Sequence, residues 1–199
     1  MAPVRSAAPR RRTGATDTGR PPAPTYGGAV SPFTLRRRAA RVVLLDSSGQ
    51  VLLLAATDPA DPSKTPWWEI PGGGIDPHED TADAARRELH EETGITDVEI
   101  GPCVWTQHAV FSFGGYDFDQ HEHIHVAWCD AIDMSELRPA GLEALEVLAF
   151  GGARWWELDA LLGSEERTLP HRLREFLPDL VDGRLPDMPH DITHYGGWD

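Results

Sequence analysis

Cysteine and long hydrophobic runs are scarce in this chain of 199 residues. Only Cys103 and Cys129 are present, and they form no Cys-x-x-Cys pair, so neither a disulfide scaffold nor a thiolate zinc site is indicated. The longest apolar run, Val51–Ala56, is far shorter than the roughly 20 residues that span a bilayer. No apolar stretch typical of a secretion signal follows the N-terminal arginines. We therefore expect a cytoplasmic protein that does not enter a membrane.

Positive charge is scarce outside the N-terminal part. The formal net charge is −14, but residues 1–41 hold nine arginines and a single acid, Asp17, so the local charge of +8 leaves −22 for the rest. Such an acidic body lacks the electrostatic footprint for a nucleic-acid duplex, whereas it suits a divalent cation that bridges to an anionic substrate. Nucleic-acid contact is expected only through the basic N-terminal arm.

Composition divides the chain into three parts. Residues 1–35 are rich in Arg, Pro, Gly, Ala, Ser and Thr without apolar periodicity, and we predict a disordered tail there. A solvated tail is the first interpretation, with a nucleic-acid or membrane-surface arm and a transit peptide as alternatives. Residues 36–185 are predicted to form one folded domain, which needs no disulfide or structural metal at this length. Residues 186–199 are predicted to be a C-terminal tail.

The first half of the predicted domain reads as strands followed by a helix. Ala40–Asp46 and Val51–Thr57 are predicted to form a hairpin across Ser-Ser-Gly. A short strand at Trp67–Ile70 leads into a glycine turn at Gly72–Gly74. The next segment is predicted to be a helix, with Asp80 as its N-cap and Gly94 as its C-cap.

The second half adds strands and a closing helix. Val98–Phe113 and Glu122–Trp128 are predicted strands, separated by a turn at Gly114–Asp119. Arg154–Leu158 reads as one more strand. Apolar residues at i, i+3, i+4, i+7 and i+8 from Leu173 predict an amphipathic C-terminal helix. Strands interleaved with two helices predict an α/β fold with a mixed sheet between helices.

The predicted helix at 80–94 carries a cluster of acids. At about 100° per residue, Glu88, Glu91 and Glu92 share one sector, where their like charges are unfavourable unless a cation neutralises them. Arg87 lies one turn before Glu91 and pairs with an acid on the same side. Ligands that are all oxygen select hard cations, so we expect Mg²⁺, with Mn²⁺ as its substitute. The implied chemistry is attack of a metal-activated water on phosphorus.

The spacing around these acids resembles the signature of the Nudix hydrolases. Nine positions match at fixed gaps, namely Gly73, Glu79, Arg87-Glu88-Leu89, Glu91-Glu92 and Gly94-Ile95. The Trp-Trp-Glu-Ile-Pro-Gly-Gly segment at 67–73 and Arg154-Trp155-Trp156 resemble features of bacterial members. The resemblance implies an α/β/α sandwich that hydrolyses, with Mg²⁺, a nucleoside diphosphate linked to another moiety.

The resemblance also assigns roles to residues. It implies Glu88, Glu91, Glu92 and the carbonyl of Gly73 as metal ligands, and the three acids with Arg87 as the catalytic set. Arg87 would orient a carboxylate, and Glu79 would support the helix or the metal shell.

Family members often draw one more acid from a later strand or loop, as a metal ligand or a general base. Our candidate for this acid is Glu122, ahead of Glu143 and Glu146, with Glu69 as an alternative.

The substrate stays open at this point. Val110 and Phe111 stand where ADP-ribose pyrophosphatases usually carry proline, which disfavours that branch. A nucleoside triphosphate, a nucleotide sugar or a related diphosphate fits equally well. A nucleotide-binding module without turnover is the alternative function, and family members include monomers and homodimers.

Overall fold

A computed structural model describes residues 33–130, 132, 133, 135 and 137–195. In this part of the chain the strands are β1 (Thr34–Asp46), β2 (Val51–Ala56), β3 (Trp67–Glu69), β4 (Gly72–Gly74), β5 (Ile100–Phe113), β6 (Tyr116–Cys129), β7 (Phe150–Trp156), β8 (Thr168–Leu169) and β9 (His190–Asp191). The helices are α1 (Thr81–Thr93), α2 (Ala144–Ala149), α3 (Leu158–Leu162) and α4 (Leu173–Val181). None of the helices in these residues has the length and apolar character needed to cross a membrane.

The strands form one mixed sheet with β1 near its centre. The order is β8-β3-β2-β1-β6-β5-β9, while β4 pairs with β1 and β7 pairs with β2 off this path. β1 runs parallel to β6 along its whole length and antiparallel to β2 and β4. Its Leu- and Val-rich second half is buried, which is expected of a central strand covered on both faces.

Helices cover both faces of the sheet, as the sequence predicted. Along β1, Val43 and Leu45 belong to one hydrophobic cluster together with residues of α3 and α4. Their neighbours Val42 and Leu44 belong to a second cluster, which contains Leu89 of α1. Because successive side chains of a strand point to opposite faces, the two clusters lie on opposite sides of the sheet. The α/β sandwich is therefore confirmed.

Helix α1 begins and ends at the residues that the sequence indicated. The carboxylate of Asp80 accepts hydrogen bonds from the backbone N–H groups of Ala82 and Asp83. Gly94 closes the helix with φ of 81°, a left-handed conformation that favours glycine. A Cβ at this position would lie 2.3 Å from the carbonyl oxygen of Arg138, so glycine is also required sterically.

Two short helices and several strands differ from the predictions. β6 begins at Tyr116 and not at Glu122, because pairs such as Phe111 with Phe118 carry the β5–β6 ladder to a turn at Gly114 and Gly115. Gly72–Gly74 is a short strand paired with β1 and not only a turn. β7 spans Phe150–Trp156 instead of Arg154–Leu158. Helices α2 and α3 are too short to show a period in the sequence.

The sheet reaches beyond both predicted domain boundaries. Thr34 already pairs with Asp117, although the tail was predicted to end at residue 35. At the other end β9 pairs with β5 and Ile192 is fully buried, although a tail was predicted from residue 186. The sequence missed β9 because two residues show no alternation. The rest of the predicted tails, at 1–32 and 196–199, lies outside the described residues.

Candidate active site

Three carboxylates from two helices converge beside the glycine strand β4. Oxygen atoms of Glu88 and Glu92 on α1 and of Glu146 on α2 all lie within 4.8 Å of one another. Glu88 and Glu92 are buried and Glu146 is half-buried. These donors are all oxygen and lie close enough to share one ion, so the set fits a hard divalent cation. We refer to these three residues as the acid cluster.

The glycine strand touches the acid cluster directly. The backbone N–H of Gly72 donates a hydrogen bond of 2.8 Å to Oε2 of Glu92. A Cβ on Gly73 would lie 2.7 Å from the carboxylate of Glu88. Gly72 has φ of 142°, and a Cβ there would lie 2.3 Å from the carbonyl oxygen of Ala40. Glycine is therefore required because the β4 backbone packs against β1 on one side and against the acids on the other.

Arg87 links the acids of α1 to the glycine strand. Its Nε and Nη2 donate to the two carboxylate oxygens of Glu79, at 3.1 and 2.9 Å. Its Nη1 donates to Glu88 at 2.9 Å and to Glu91 at 3.0 Å. Nη2 also donates to the carbonyl oxygen of Gly74 at 2.8 Å. Hydrogen bonds to Glu79, and next to Glu88, raise the pKa of Arg87, so it remains charged.

Burial disfavours the charged forms of the clustered acids. Desolvation raises the pKa of Glu88 to about 7, although Arg87 opposes the rise. Desolvation, together with the charge of Glu69, raises the pKa of Glu92 well above its usual value. Desolvation by burial also raises the pKa of Glu69. The local positive charge therefore falls short of what these carboxylates need, and a bound cation would supply the difference.

Glu122 belongs to a separate buried network. Its carboxylate accepts a hydrogen bond of 3.0 Å from Nε of Arg41, and short hydrogen bonds from the side-chain amides of Gln107 and Gln120. Arg41 in turn donates to the carbonyl oxygens of Ile70 and Gly72 at 3.2 and 3.1 Å. Burial lowers the pKa of Arg41, but the negative charges of Glu122 and Glu69 outweigh that effect and raise it.

The two networks line one large cleft. Its volume is about 990 Å³, near the upper end for small-molecule sites. Glu92, Glu146 and Gly73 lie along its wall, as do Glu122 and Arg41. Basic and aromatic side chains complete the lining, among them Arg37, Lys64, Arg167, Trp67, Phe111 and Phe118. A cleft with acids at one place and cations and rings around it suits a phosphorylated ligand with an apolar part.

The structure brings together only some of the predicted site residues. Glu88, Glu92 and Gly73 lie side by side, and Arg87 contacts Glu88. Glu91 instead accepts from Arg87, packs beside Gly141 and is outside the acid cluster.

Glu122, the first candidate for the additional acid, lies outside the group of described carboxylates formed by Glu88 and Glu92, whereas Glu146, a later candidate, belongs to that group. The reason is that Arg41 and two glutamine amides already surround the carboxylate of Glu122.

Two cleft arginines were missed because composition assigned them to the basic arm. Arg37 and Arg41 are in the first part of β1, and they fall on the same face as Val43 and Leu45. That alternation is readable in the sequence. The predicted strand, however, began at Ala40 and so left Arg37 outside it, whereas Arg41 was inside the strand but was counted with the basic arm.

Comparisons with known proteins agree with this geometry. Residues 35–180 match the family model of the NUDIX domain. Among curated relatives, the RNA pyrophosphohydrolase of Bartonella henselae is 61% identical over 33 residues, which are 17% of this chain and 19% of the relative. That of Caulobacter vibrioides is 48% identical over 59 residues, 30% of this chain and 33% of the relative. The matches thus span about a third or less of these two relatives.

Solved structures show the same fold at low identity. An Ap4A hydrolase of C. elegans superimposes with a TM-score of 0.51 and 21% identity, covering 74% of this chain and 98% of that one. The dihydroneopterin triphosphate pyrophosphohydrolase of E. coli superimposes with a TM-score of 0.53 and 16% identity, covering 73% and 95%. The domain model spans most of the chain, and the fold and the spacing from Gly73 to Ile95 agree with it, so the chain belongs to the Nudix family.

Proposed function

We propose that this protein is a divalent-metal-dependent hydrolase that cleaves a diphosphate bond. Its substrate would be a nucleoside diphosphate linked to another moiety, such as a nucleoside triphosphate or a nucleotide sugar. The single observation that carries the proposal is the convergence of Glu88, Glu92 and Glu146 beside Gly73, on the wall of a cleft of about 990 Å³. Membership of the Nudix family supports the same chemistry.

The acid cluster and the Gly73 carbonyl would hold Mg²⁺, with Mn²⁺ as a substitute. When bound, the ion supplies positive charge to the phosphate oxygens and lowers the pKa of a water molecule. Helix α1 would supply two of the carboxylate ligands, Glu88 and Glu92, and Glu146 of α2 would supply the third. Glu91, the remaining acid of the helix, would act at the edge of this site, where Arg87 holds its carboxylate.

The chain's own residues prepare the site for this ion. Gly72 fixes one oxygen of Glu92, and Arg87 fixes one oxygen of Glu88, so both carboxylates have defined directions before a ligand arrives. Both acids must lose their protons, and burial makes this costly until positive charge is bound. Glu122 would act at a distance by keeping Arg41 against the carbonyl oxygen of Gly72 in β4, which makes it a positioning residue.

A 5′-triphosphorylated RNA is a second candidate substrate. The curated relatives described above are named RNA pyrophosphohydrolases, and the cleft offers cations and rings suited to a 5′ nucleotide. The acidic body offers little for the remainder of a long RNA, so short oligonucleotides are the fair probe.

Product release from a substrate panel tests the proposal. Nucleoside triphosphates, nucleotide sugars, ADP-ribose, dinucleoside polyphosphates and a 5′-triphosphorylated RNA oligonucleotide are incubated with Mg²⁺, Mn²⁺ or EDTA. Metal-dependent turnover should fall at least about 100-fold in Glu92→Gln, while the exposed Glu99→Gln keeps wild-type activity. Turnover that survives EDTA, or is unchanged in Glu92→Gln, contradicts the mechanism. No turnover combined with nucleotide-induced thermal stabilisation would favour the binding module.

A further inference from the structure

The basic residues of the cleft differ in what already occupies their donor groups. Arg41 is bound to Glu122 and to the carbonyls of Ile70 and Gly72. Lys64 donates to Asp58 and to the carbonyl oxygen of Ser112, both at 2.7 Å, which ties the loop before β3 to the end of β5. These two cations therefore have structural partners.

The guanidinium group of Arg37 is held in one orientation. Its Nε donates a hydrogen bond of 2.9 Å to Oε1 of Gln120, the residue paired with it across the β1–β6 ladder. The guanidinium carbon lies 4.8 Å from the centre of the Phe118 ring, a cation–π contact. Phe118 is buried and stacks on Phe111 at 5.1 Å with an interplanar angle of 10°. Gln120 and Phe118 thus fix the plane and the direction of the charged group.

The terminal nitrogens of Arg37 are left for another partner. Within the described part of the chain, no side chain or carbonyl accepts a hydrogen bond from Nη1 or Nη2 of Arg37. The Nη1 atom lies 3.2 Å from the position that a Cβ of Gly74 would occupy. A Cβ on the preceding residue of this strand, Gly73, would instead lie 2.7 Å from the carboxylate of Glu88. The free donors therefore lie beside the glycine strand, and Arg37 lines the same cleft as Gly73, Glu92 and Glu146.

Nearby charge supports an anion at this place. Displacement of water by protein atoms, followed by the charge of Arg41, lowers the pKa of Arg37, while the negative charges of Glu88, Glu122 and Glu143 only partly compensate. An oxyanion bound to Nη1 and Nη2 would relieve both effects. Planar donors in a fixed fork match two oxygens of a phosphate group, which a lysine does not do.

We propose that Arg37 binds a phosphate group of the substrate, and that Gln120 and Phe118 hold its guanidinium in position for this contact. The inference rests on the proposed function for the identity of the ligand as a diphosphate compound. Arg37 would clamp the phosphate group next to the one held at the acid cluster, so the protein would select ligands with at least two linked phosphates.

Arg36 provides a matched control. It precedes Arg37 on β1 and faces the opposite side of the sheet, where its side chain is 83% exposed and pairs with Asp119 at 3.2 Å. Arg36→Gln and Arg37→Gln remove the same charge from adjacent positions of the same strand. A general change in net charge would affect both variants equally, whereas a bound phosphate distinguishes them.

Isothermal titration with methylenediphosphonate, whose P–C–P bridge resists hydrolysis, tests the assignment in the presence of Mg²⁺. Arg37→Gln should weaken binding by about 10-fold to 100-fold, since a charge-assisted hydrogen-bonded pair is lost. Arg37→Lys should recover only part of this affinity, and Arg36→Gln should bind within about twofold of wild type. Urea unfolding should show that all three variants fold. Equal affinity of Arg37→Gln and wild type, equal losses at both positions, or no binding by wild type would each overturn the proposal.

The experiment separates this inference from the proposed function. Binding of methylenediphosphonate requires no turnover, so Arg37-dependent affinity stands even if no substrate of the panel is hydrolysed. Conversely, metal-dependent hydrolysis by the wild type, together with an unaltered affinity of Arg37→Gln for methylenediphosphonate, would support the proposed function and contradict phosphate binding by Arg37. In the active enzyme, Arg37→Gln should raise KM more than it lowers kcat.

Discussion

The carboxylate of Glu122 accepts a hydrogen bond of 3.0 Å from Nε of Arg41, and this buried ion pair connects the β1–β6 ladder to the glycine strand. Only 2% of the Glu122 side chain and 14% of the Arg41 side chain are exposed. Arg41 continues to the Gly72 carbonyl, and Gly72 donates its N–H to Glu92. Glu122, which is outside the acid cluster, is thus linked to it through one arginine and one glycine.

Removing Glu122 should therefore destabilise the fold as well as the site. Glu122→Ala leaves Arg41 buried without its main counter-ion, and we expect a loss of roughly 3 kcal/mol in the free energy of unfolding. Urea denaturation measures this change. Glu175→Gln is the control, because Glu175 pairs with Arg172 at the exposed start of α4 and should leave the midpoint unchanged. A Glu122→Ala midpoint equal to wild type would show that the pair contributes nothing.

Arg87 should be sensitive even to a change that keeps its charge. One lysine ammonium cannot make the five hydrogen bonds that Arg87 donates to Glu79, Glu88, Glu91 and the Gly74 carbonyl. Arg87→Lys should lower kcat by about 10-fold to 100-fold, because the carboxylates lose their fixed directions. Steady-state kinetics on the substrate found in the panel checks this.

The adjacent Arg86 serves as the control for that variant. It is bound only to the exposed Asp83 among the described residues, so Arg86→Lys should retain wild-type kcat. If Arg87→Lys also keeps wild-type kcat, the geometry of the guanidinium has no role in orienting the acids.

The features that could be predicted from the sequence are those set by residues close together in the chain. Helix α1 could be delimited because Asp80 and Gly94 cap it, and the spacing of Glu88 and Glu92 then places both acids on one face. The apolar face of α4 was readable for the same reason, since Leu173, Leu177 and Leu180 are buried as their periodicity indicates. These features depend on residues within a few turns of one another.

The features that the sequence did not predict depend on tertiary contacts between distant segments. Glu146 reaches the acid cluster from a six-residue helix, which carries no periodic signal and lies 54 positions beyond Glu92. The partner of Glu122 is 81 residues away, so its engagement by Arg41 could not be inferred from the strand in which it lies. Which acid joins the acid cluster and which pairs with Arg41 is decided by the order of the strands in the sheet, not by local pattern.

The position of Glu146 leads to a direct prediction for metal binding. Glu146→Gln removes one charged oxygen donor from the cluster and should weaken Mn²⁺ affinity by at least about tenfold, measured by titration calorimetry. Glu99→Gln is the control, because Glu99 is exposed and, among the described residues, lies outside the cluster, and it should bind Mn²⁺ as wild type does. Glu122→Gln, unlike Glu146→Gln, should leave Mn²⁺ affinity within a few fold. The opposite order of these two variants would restore Glu122 as the ligand.

The pKa of Glu88 determines how metal binding should depend on pH. Burial raises this pKa from 4.5 to about 7, so the folded metal-free protein holds a proton that the unfolded chain has released. The contribution of this proton to the free energy of unfolding of the metal-free protein is complete below pH 4.5 and is lost as the pH rises through 7. A cation at the cluster must displace this proton, and burial raises the pKa of Glu92 in the same direction. Metal binding should therefore be favoured at high pH.

We expect the affinity for Mg²⁺ to fall at least about 30-fold between pH 8 and pH 5.5, because removing one proton from a group with a pKa of about 7 accounts for that much and the raised pKa of Glu92 acts in the same direction. The Mg²⁺-induced rise in Tm should shrink accordingly, because stabilisation follows the ratio of ligand concentration to Kd. Thermal unfolding with and without Mg²⁺ at both pH values measures the effect. Glu88→Gln, which carries no proton to displace, should show a weaker pH dependence at a lower overall affinity. Equal stabilisation of wild type at pH 5.5 and pH 8 would mean that Glu88 is already ionised in the metal-free protein.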